Sequence, residues 1–153
     1  MKKHFTATAY IVSKIDGELR VLLHKHTKLN IWIAIGGHLE KAENPYQAVL
    51  REVKEETHLD VEIVSEKLLK TDFVEEFASP VAILEEFVPK HQKTPAHIHI
   101  DCIYFAFCKK PEAIKMKEEY KWFSKRDLKT SNLVKEVNYF MNKLFKLKVL
   151  KSI

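Results

Sequence analysis

Strand-like and helical segments alternate along these 153 residues, which predicts an α+β or α/β fold. Three observations carry that expectation. Two β-rich runs flank an Asp-Gly dipeptide near the start, a long apolar run occupies residues 97–107, and amphipathic stretches with helical spacing stand at residues 45–57 and near the C-terminus. At 46% hydrophobic residues the chain has the material for a core of its own, so residues 1–153 are expected to form a single domain.

The first two strands are expected at residues 5–12 and 19–26, because Asp16-Gly17 between them is the dipeptide favoured in a tight hairpin turn. On the second run His24 and His26 share a face, but with no third ligand nearby in sequence they read as polar strand residues. A glycine pair, Gly36-Gly37, follows in what reads as a loop. Next comes a short helix: Asn44 is a good N-cap, Pro45 suits the first helical position, and no breaker follows before His58. Tyr46, Val49, Leu50 and Val53 give it one apolar face, enough to fix it against a sheet. On the other side Glu52, Glu55 and Glu56 stand at i, i+3 and i+4, so three carboxylates project within one turn and repel each other. A cation is expected there, and oxygen ligands with incomplete protein coordination suit magnesium or manganese. The bland alternative is a solvated acidic face balanced by Arg51 and Lys54.

Residues 61–69 read as a strand, 72–78 as a loop, 80–88 as a further apolar run ending in Glu85-Glu86, and 89–95 as an exposed connection. Residues 97–107 give the clearest strand, whose second half is apolar on both faces and therefore central in the sheet. In its first half His97, His99 and Asp101 alternate onto one face. With His91 they imitate a zinc site, yet the spacing matches no zinc motif, and the readings left open are satisfied polar residues or a polar wall of a substrate cleft. Residues 118–123 read as another strand. A C-terminal helix follows, capped by Thr130 or Ser131, with Leu133, Val137, Phe140, Leu144 and Leu147 along one side. Phe73, Phe77, Trp122 and Phe123 are equally good as stacking residues or as core.

Composition narrows the setting. Cys102 and Cys108 lie in one strand, about 20 Å apart, too far to bridge, which points to a reduced, cytoplasmic protein. The N-terminal apolar stretch is short, threonine-dotted and stopped by charges, and no segment is long enough to span a bilayer, so no membrane association is expected. A net charge of +5 favours polyanions without choosing among nucleic acid, membrane and polyphosphate. The lysines thicken only at Lys143, Lys146, Lys148 and Lys151, on what reads as a solvated helix face.

The acidic helix acquires meaning from what precedes it. Gly37, five residues, Glu43, seven residues and then Arg51-Glu52-Val53-Lys54-Glu55-Glu56 resembles the signature box of the Nudix hydrolases, the MutT-like family. Six residue types matched at roughly one in ten to twenty each amount to a chance on the order of one in ten million at a given start. Trp32 and Glu119-Tyr-Lys-Trp122 also resemble family features. The chain departs from the pattern at Ile35 and Ala42, which are loop preferences, and at His58, where the family has glycine at the helix end.

The resemblance implies an α/β/α sandwich with a mixed sheet between helices, and magnesium-dependent hydrolysis of a nucleoside diphosphate linked to some moiety X, or of another small diphosphate. It implies that Glu52, Glu55 and Glu56 hold the ion with the Gly37 carbonyl, that Arg51 orients a box carboxylate, and that Gly36 and Glu43 shape the loop. The base is expected outside the box, with Glu119 as candidate. Lys25, Lys28, His38, His97 and His99 are the candidates for meeting substrate. Two rivals remain: a Nudix-fold nucleotide sensor without turnover, against which the three retained carboxylates argue, and a nucleic-acid-binding module exploiting the positive charge, which would show steep salt dependence of binding. A homodimer is left open.

Overall fold

The computed structural model describes all residues 1–153. The chain begins with a hairpin of β1 (Lys3–Ile15) and β2 (Glu18–Lys25), turning through Asp16 and Gly17 at φ 51° and 78°. Two successive left-handed residues make the turn whose twist matches paired strands. Then come β3 (Trp32–Ile33), β4 (Ile35–His38), α1 (Pro45–Thr57), β5 (Val61–Ile63), β6 (Ala82–Val88), β7 (His97–Cys108), β8 (Tyr120–Ser124), the short α2 (Asp127–Thr130) and α3 (Lys135–Phe145).

All eight strands join one mixed sheet. At its centre β1 runs parallel to β7 and antiparallel to β2 and β4; β5 and β6 both pair antiparallel with β7, while β3 and β8 flank β2. Alternation along β1 sorts the core into two layers. Ala7, Ala9 and Ile11 pack with Val49 and Val53 of α1. Tyr10 and Val12 pack with Val137, Phe140 and Met141 of α3 on the opposite face. The expected sandwich, a mixed sheet between helices, is therefore present.

Several boundaries differ from expectation. Gly36 and Gly37 are not loop: they lie in β4, hydrogen-bonded opposite Thr8 and Ala7 of β1. The strand expected over 61–69 keeps only Val61–Ile63, with Val64 N–H still donating to Phe105 O at 2.8 Å before the polar Ser65-Glu66-Lys67 leaves the sheet. The C-terminal helix starts later than Thr130 or Ser131. Asp127 accepts from the Ser124 amide and hydroxyl, nucleating α2 first, and Ser131 ends that helix, so that α3 begins after Val134. Of the four aromatic residues left open, Phe123 is core, edge-on to Trp32 with centroids 5.2 Å apart, Trp122 is half-buried, and Phe73 and Phe77 are exposed. Cys102 and Cys108 are both buried and free.

Candidate active site

The carboxylate helix is fixed at both ends by local chemistry. At the start Asn44 and Gln47 form a reciprocal capping box, the Gln47 amide donating to Asn44 Oδ1 at 2.8 Å and the Asn44 amide to Gln47 Oε1 at 3.0 Å. At the end His58 adopts the left-handed conformation and its N–H donates to Lys54 O at 3.0 Å. The buried Ala48, Val49 and Val53 hold one side of α1 on the sheet. The acidic side is thereby carried to the β4 glycines.

Arg51 ties this side together. Its guanidinium grips Glu43 in a fork, Nε to Oε2 at 2.8 Å and Nη2 to Oε1 at 3.0 Å, and Nη1 donates to Glu52 Oε1 at 3.0 Å and Glu55 Oε2 at 3.2 Å. Nη2 also donates to the His38 carbonyl at 3.0 Å, linking helix to strand. Such planar, two-point pairing needs arginine; lysine offers no fork. The bond from Arg51 holds the Glu43 carboxyl below its ordinary range, and Glu43 Oε1 also accepts the Glu40 amide at 2.8 Å.

Glu52 and Glu56 meet the glycines directly. A Cβ at Gly37 would collide with the Glu52 carboxylate, so glycine there makes a cradle for that group. Glu56 is half-buried, and its Oε2 is buried without a hydrogen-bond partner. Burial, then the charges of Glu52 and Glu118, push Glu56 up to about 7, the Gly36 amide pulling the other way. An unpartnered carboxylate oxygen among like charges, beside a glycine cradle, is a donor set that suits a hard divalent cation.

Behind the glycines a cleft of about 430 Å³ crosses the α3 side of the sheet. Thr6, Thr8, Gly36, Gly37, His38 and Glu56 form its end nearest the box, and Phe140 and Val137 of α3 lie along it. The buried Asp101 accepts the Thr6 hydroxyl at 3.0 Å and the Thr8 hydroxyl at 3.0 Å. Burial raises both Asp101 and its neighbour Glu86, the latter to about 7 with the Asp101 charge adding to the effect. With two hydroxyl donors Asp101 is the better-stabilised anion, so Glu86 holds the proton of the pair.

Of the residues singled out in the sequence, Gly36, Gly37, Glu43, Arg51, Glu52, Glu55 and Glu56 come together, and His38 and His99 line the cleft beside them. His97 is buried with its ring against His99. Lys25 does not reach the cleft; its ammonium lies over the Trp32 ring, 5.5 Å from the centroid. Lys28 is exposed in the turn after β2. Glu119 is exposed, its carbonyl accepting the Lys25 amide at 2.8 Å, and Glu118 is the outside carboxylate whose charge bears on Glu56. His4, Thr6, Thr8, Glu86 and Glu118 escaped the reading of the sequence. The polar alternation His4, Thr6, Thr8 inside an otherwise apolar run was the signal available for the first three.

Comparison with known proteins agrees with this geometry. The NUDIX domain family description matches residues 3–145. A NUDIX-family hydrolase from Clostridium perfringens superposes with a TM-score of 0.70 at 28% identity, covering 92% of this chain and 94% of that one. An Ap4A hydrolase from C. elegans gives 0.63 at 19% identity over 94% and 96%, and the NUDIX domain of Shewanella oneidensis NrtR, complexed with ADP ribose, gives 0.54 at 19% over 87% and 80%. The last two identities speak for the fold alone. With the family description spanning nearly the whole chain, and its box residues assembled around one glycine strand, this protein is a member of the Nudix family.

Proposed function

We propose that the protein is a magnesium- or manganese-dependent pyrophosphohydrolase, one domain over residues 1–153, that cleaves a nucleoside diphosphate linked to a further group. The observation that carries this is Glu56: a half-buried carboxylate with an unpartnered oxygen, flanked by Glu52 and facing the glycines that border the cleft. Glu52, Glu55 and Glu56, with the Gly37 carbonyl, would hold the ion. A divalent cation there supplies charge neutralisation for phosphate oxygens and a lowered pKa for bound water.

The protein's own residues have separable tasks. Arg51 orients Glu52 and Glu55 through its two-sided grip and keeps β4 against the helix through the His38 carbonyl. Gly36 lets β4 lie close against Ala7 and Thr8 of β1, and Gly37 leaves room for the Glu52 carboxylate beside the cleft. Thr6, Thr8, Asp101 and Glu86 offer hydroxyl and carboxyl groups to the distal part of the substrate. Glu119 is a candidate base outside the box, and its neighbour Glu118, whose charge bears on Glu56, is a second. The buried free thiols fit a reducing, cytoplasmic setting.

The test is release of nucleoside monophosphate from a panel of nucleoside diphosphates linked to different groups, with magnesium, comparing the native protein with Glu55→Gln and Glu56→Gln. Each variant is expected to lose at least about a hundredfold in turnover, the scale for withdrawing charge stabilisation worth several kcal/mol. Near-normal activity of both variants under saturating magnesium rejects the assignment. Tight nucleotide binding with no turnover anywhere on the panel favours a sensor instead.

A further inference from the structure

The carboxylate box leaves unused a cluster of four imidazoles on the cleft side of the sheet. In the parallel β1–β7 pairing His99 stands opposite His4, and in the antiparallel β1–β4 pairing His38 stands opposite Thr6. Residues directly opposite, or two apart on one strand, share a face, so His4, His38, His97 and His99 project together. Ring centroids are 5.0 Å apart for His4–His97, 4.8 Å for His97–His99, 4.9 Å for His38–His99 and 5.6 Å for His4–His38. One ring nitrogen from each of His4, His38 and His99 falls within 4.8 Å of the other two.

The fourth ring orders the third. His97 Nδ1 lies 2.9 Å from the Pro95 carbonyl and its Nε2 lies 3.0 Å from His99 Nε2. A carbonyl only accepts, so the His97 proton sits on Nδ1, and in the neutral ring Nε2 is an acceptor. His99 must then donate from Nε2, which leaves the lone pair of His99 on Nδ1. A neutral imidazole whose second nitrogen is committed to a hydrogen bond is the form in which histidine binds metal.

We propose that His4, His38 and His99 bind one divalent transition-metal ion of the zinc, cobalt or nickel type, at a site distinct from the carboxylate box, with His97 as the positioning residue for His99. Three imidazoles are a borderline-soft donor set that selects such ions over magnesium. Three protein ligands leave a fourth position open for water or a substrate oxygen beside the cleft. At metal–nitrogen lengths of about 2.0–2.1 Å, tetrahedral ligand atoms stand about 3.3 Å apart, so the rings must draw together. His38 is exposed at the last residue of β4, which leaves its side chain room to turn inward. This inference stands independently of the hydrolase reading, since it uses none of the box carboxylates.

The test is titration of the full-length protein with cobalt(II) in excess magnesium, which keeps the oxygen-ligand box occupied. One equivalent of cobalt is expected to give the intense visible absorption of a low-coordinate site, and zinc to abolish it by displacement. His99→Ala and His38→Ala should each lose the band, Glu56→Gln should keep it, and His97→Gln should weaken cobalt affinity about ten- to hundredfold. The exposed position of His38 makes its variant the one that keeps the fold, checked by circular dichroism. No band in the native protein, a band that survives in folded His38→Ala, or a band lost in Glu56→Gln each overturns the proposal.

Discussion

At His58 the backbone stands at φ 63° and ψ 7°, where the family pattern has glycine. An L-residue in this region pays a steric cost that glycine avoids, though glycine gains freedom in the unfolded chain. The exposed ring of His58 covers little of the protein. We therefore expect His58→Gly to be neutral or stabilising by up to about 1 kcal/mol in denaturant melts; a loss of more than about 1 kcal/mol would mean that the ring supports the helix end. The sequence made this residue conspicuous because the box is contiguous, and its cap follows from local geometry. Glu118 and Glu119 show the opposite case. Neighbours in sequence, they differ in which one bears on Glu56, and that depends on how the chain enters β8, which no local pattern fixes.

Between elements, the β4–β1–α1 junction separates two glycines that look equivalent in the sequence. A Cβ at Gly36 would meet the Ala7 carbonyl and the Thr8 backbone, which cannot yield, whereas at Gly37 it would meet only the mobile end of Glu52. Gly36→Ala is thus expected to cost about 1–3 kcal/mol of stability. Gly37→Ala should melt close to the native protein yet lose most of its turnover as Glu52 is displaced. Equal melting temperatures for the two variants would contradict this division. Depletion of glycine in strands argues for a loop at this pair, but close backbone approach is the reason for glycine inside β4.

The β6–β7 junction holds a second such dependence, at Glu86 beside Asp101. Burial raises Glu86 to about 7 in the folded protein, above its unfolded value, so the folded state keeps a proton that the unfolded state releases. Its stabilising share is full below the unfolded pKa and is lost as pH rises toward 7. Glu86→Gln should match the native protein near pH 4 and exceed it near pH 8, by about 1 kcal/mol after allowance for solvent access, or about 2–4 °C in Tm. A constant difference across that range would show that the proton is not there.

Across the whole molecule, what was legible was what lies close together in the chain: the hairpin, the capped acidic helix, the central apolar strand. What was hidden was assembled by strand pairing over long separations, as when Thr6 and Thr8 reach Asp101, or His4 meets His99. The same pairing, through backbone bonds and two apolar layers, gives the fold a core of its own. In EDTA the protein is expected to stay folded at room temperature, losing only the few degrees of Tm that bound ions add by mass action, and unfolding on chelation would make a metal structural after all. The parallel pairing of β1 with β7 has a further consequence in time. Thr6 and Asp101 are 95 residues apart, so during synthesis β1 waits for most of the chain before its central neighbour exists. Until then an apolar strand stands with one edge unpaired, open to other nascent chains. The acidic helix and its glycine strand can assemble early, but the cleft they serve closes only when β7 arrives. Chains cut short before residue 97 should therefore aggregate rather than retain partial activity, and refolding of the full protein should slow and lose yield as concentration rises.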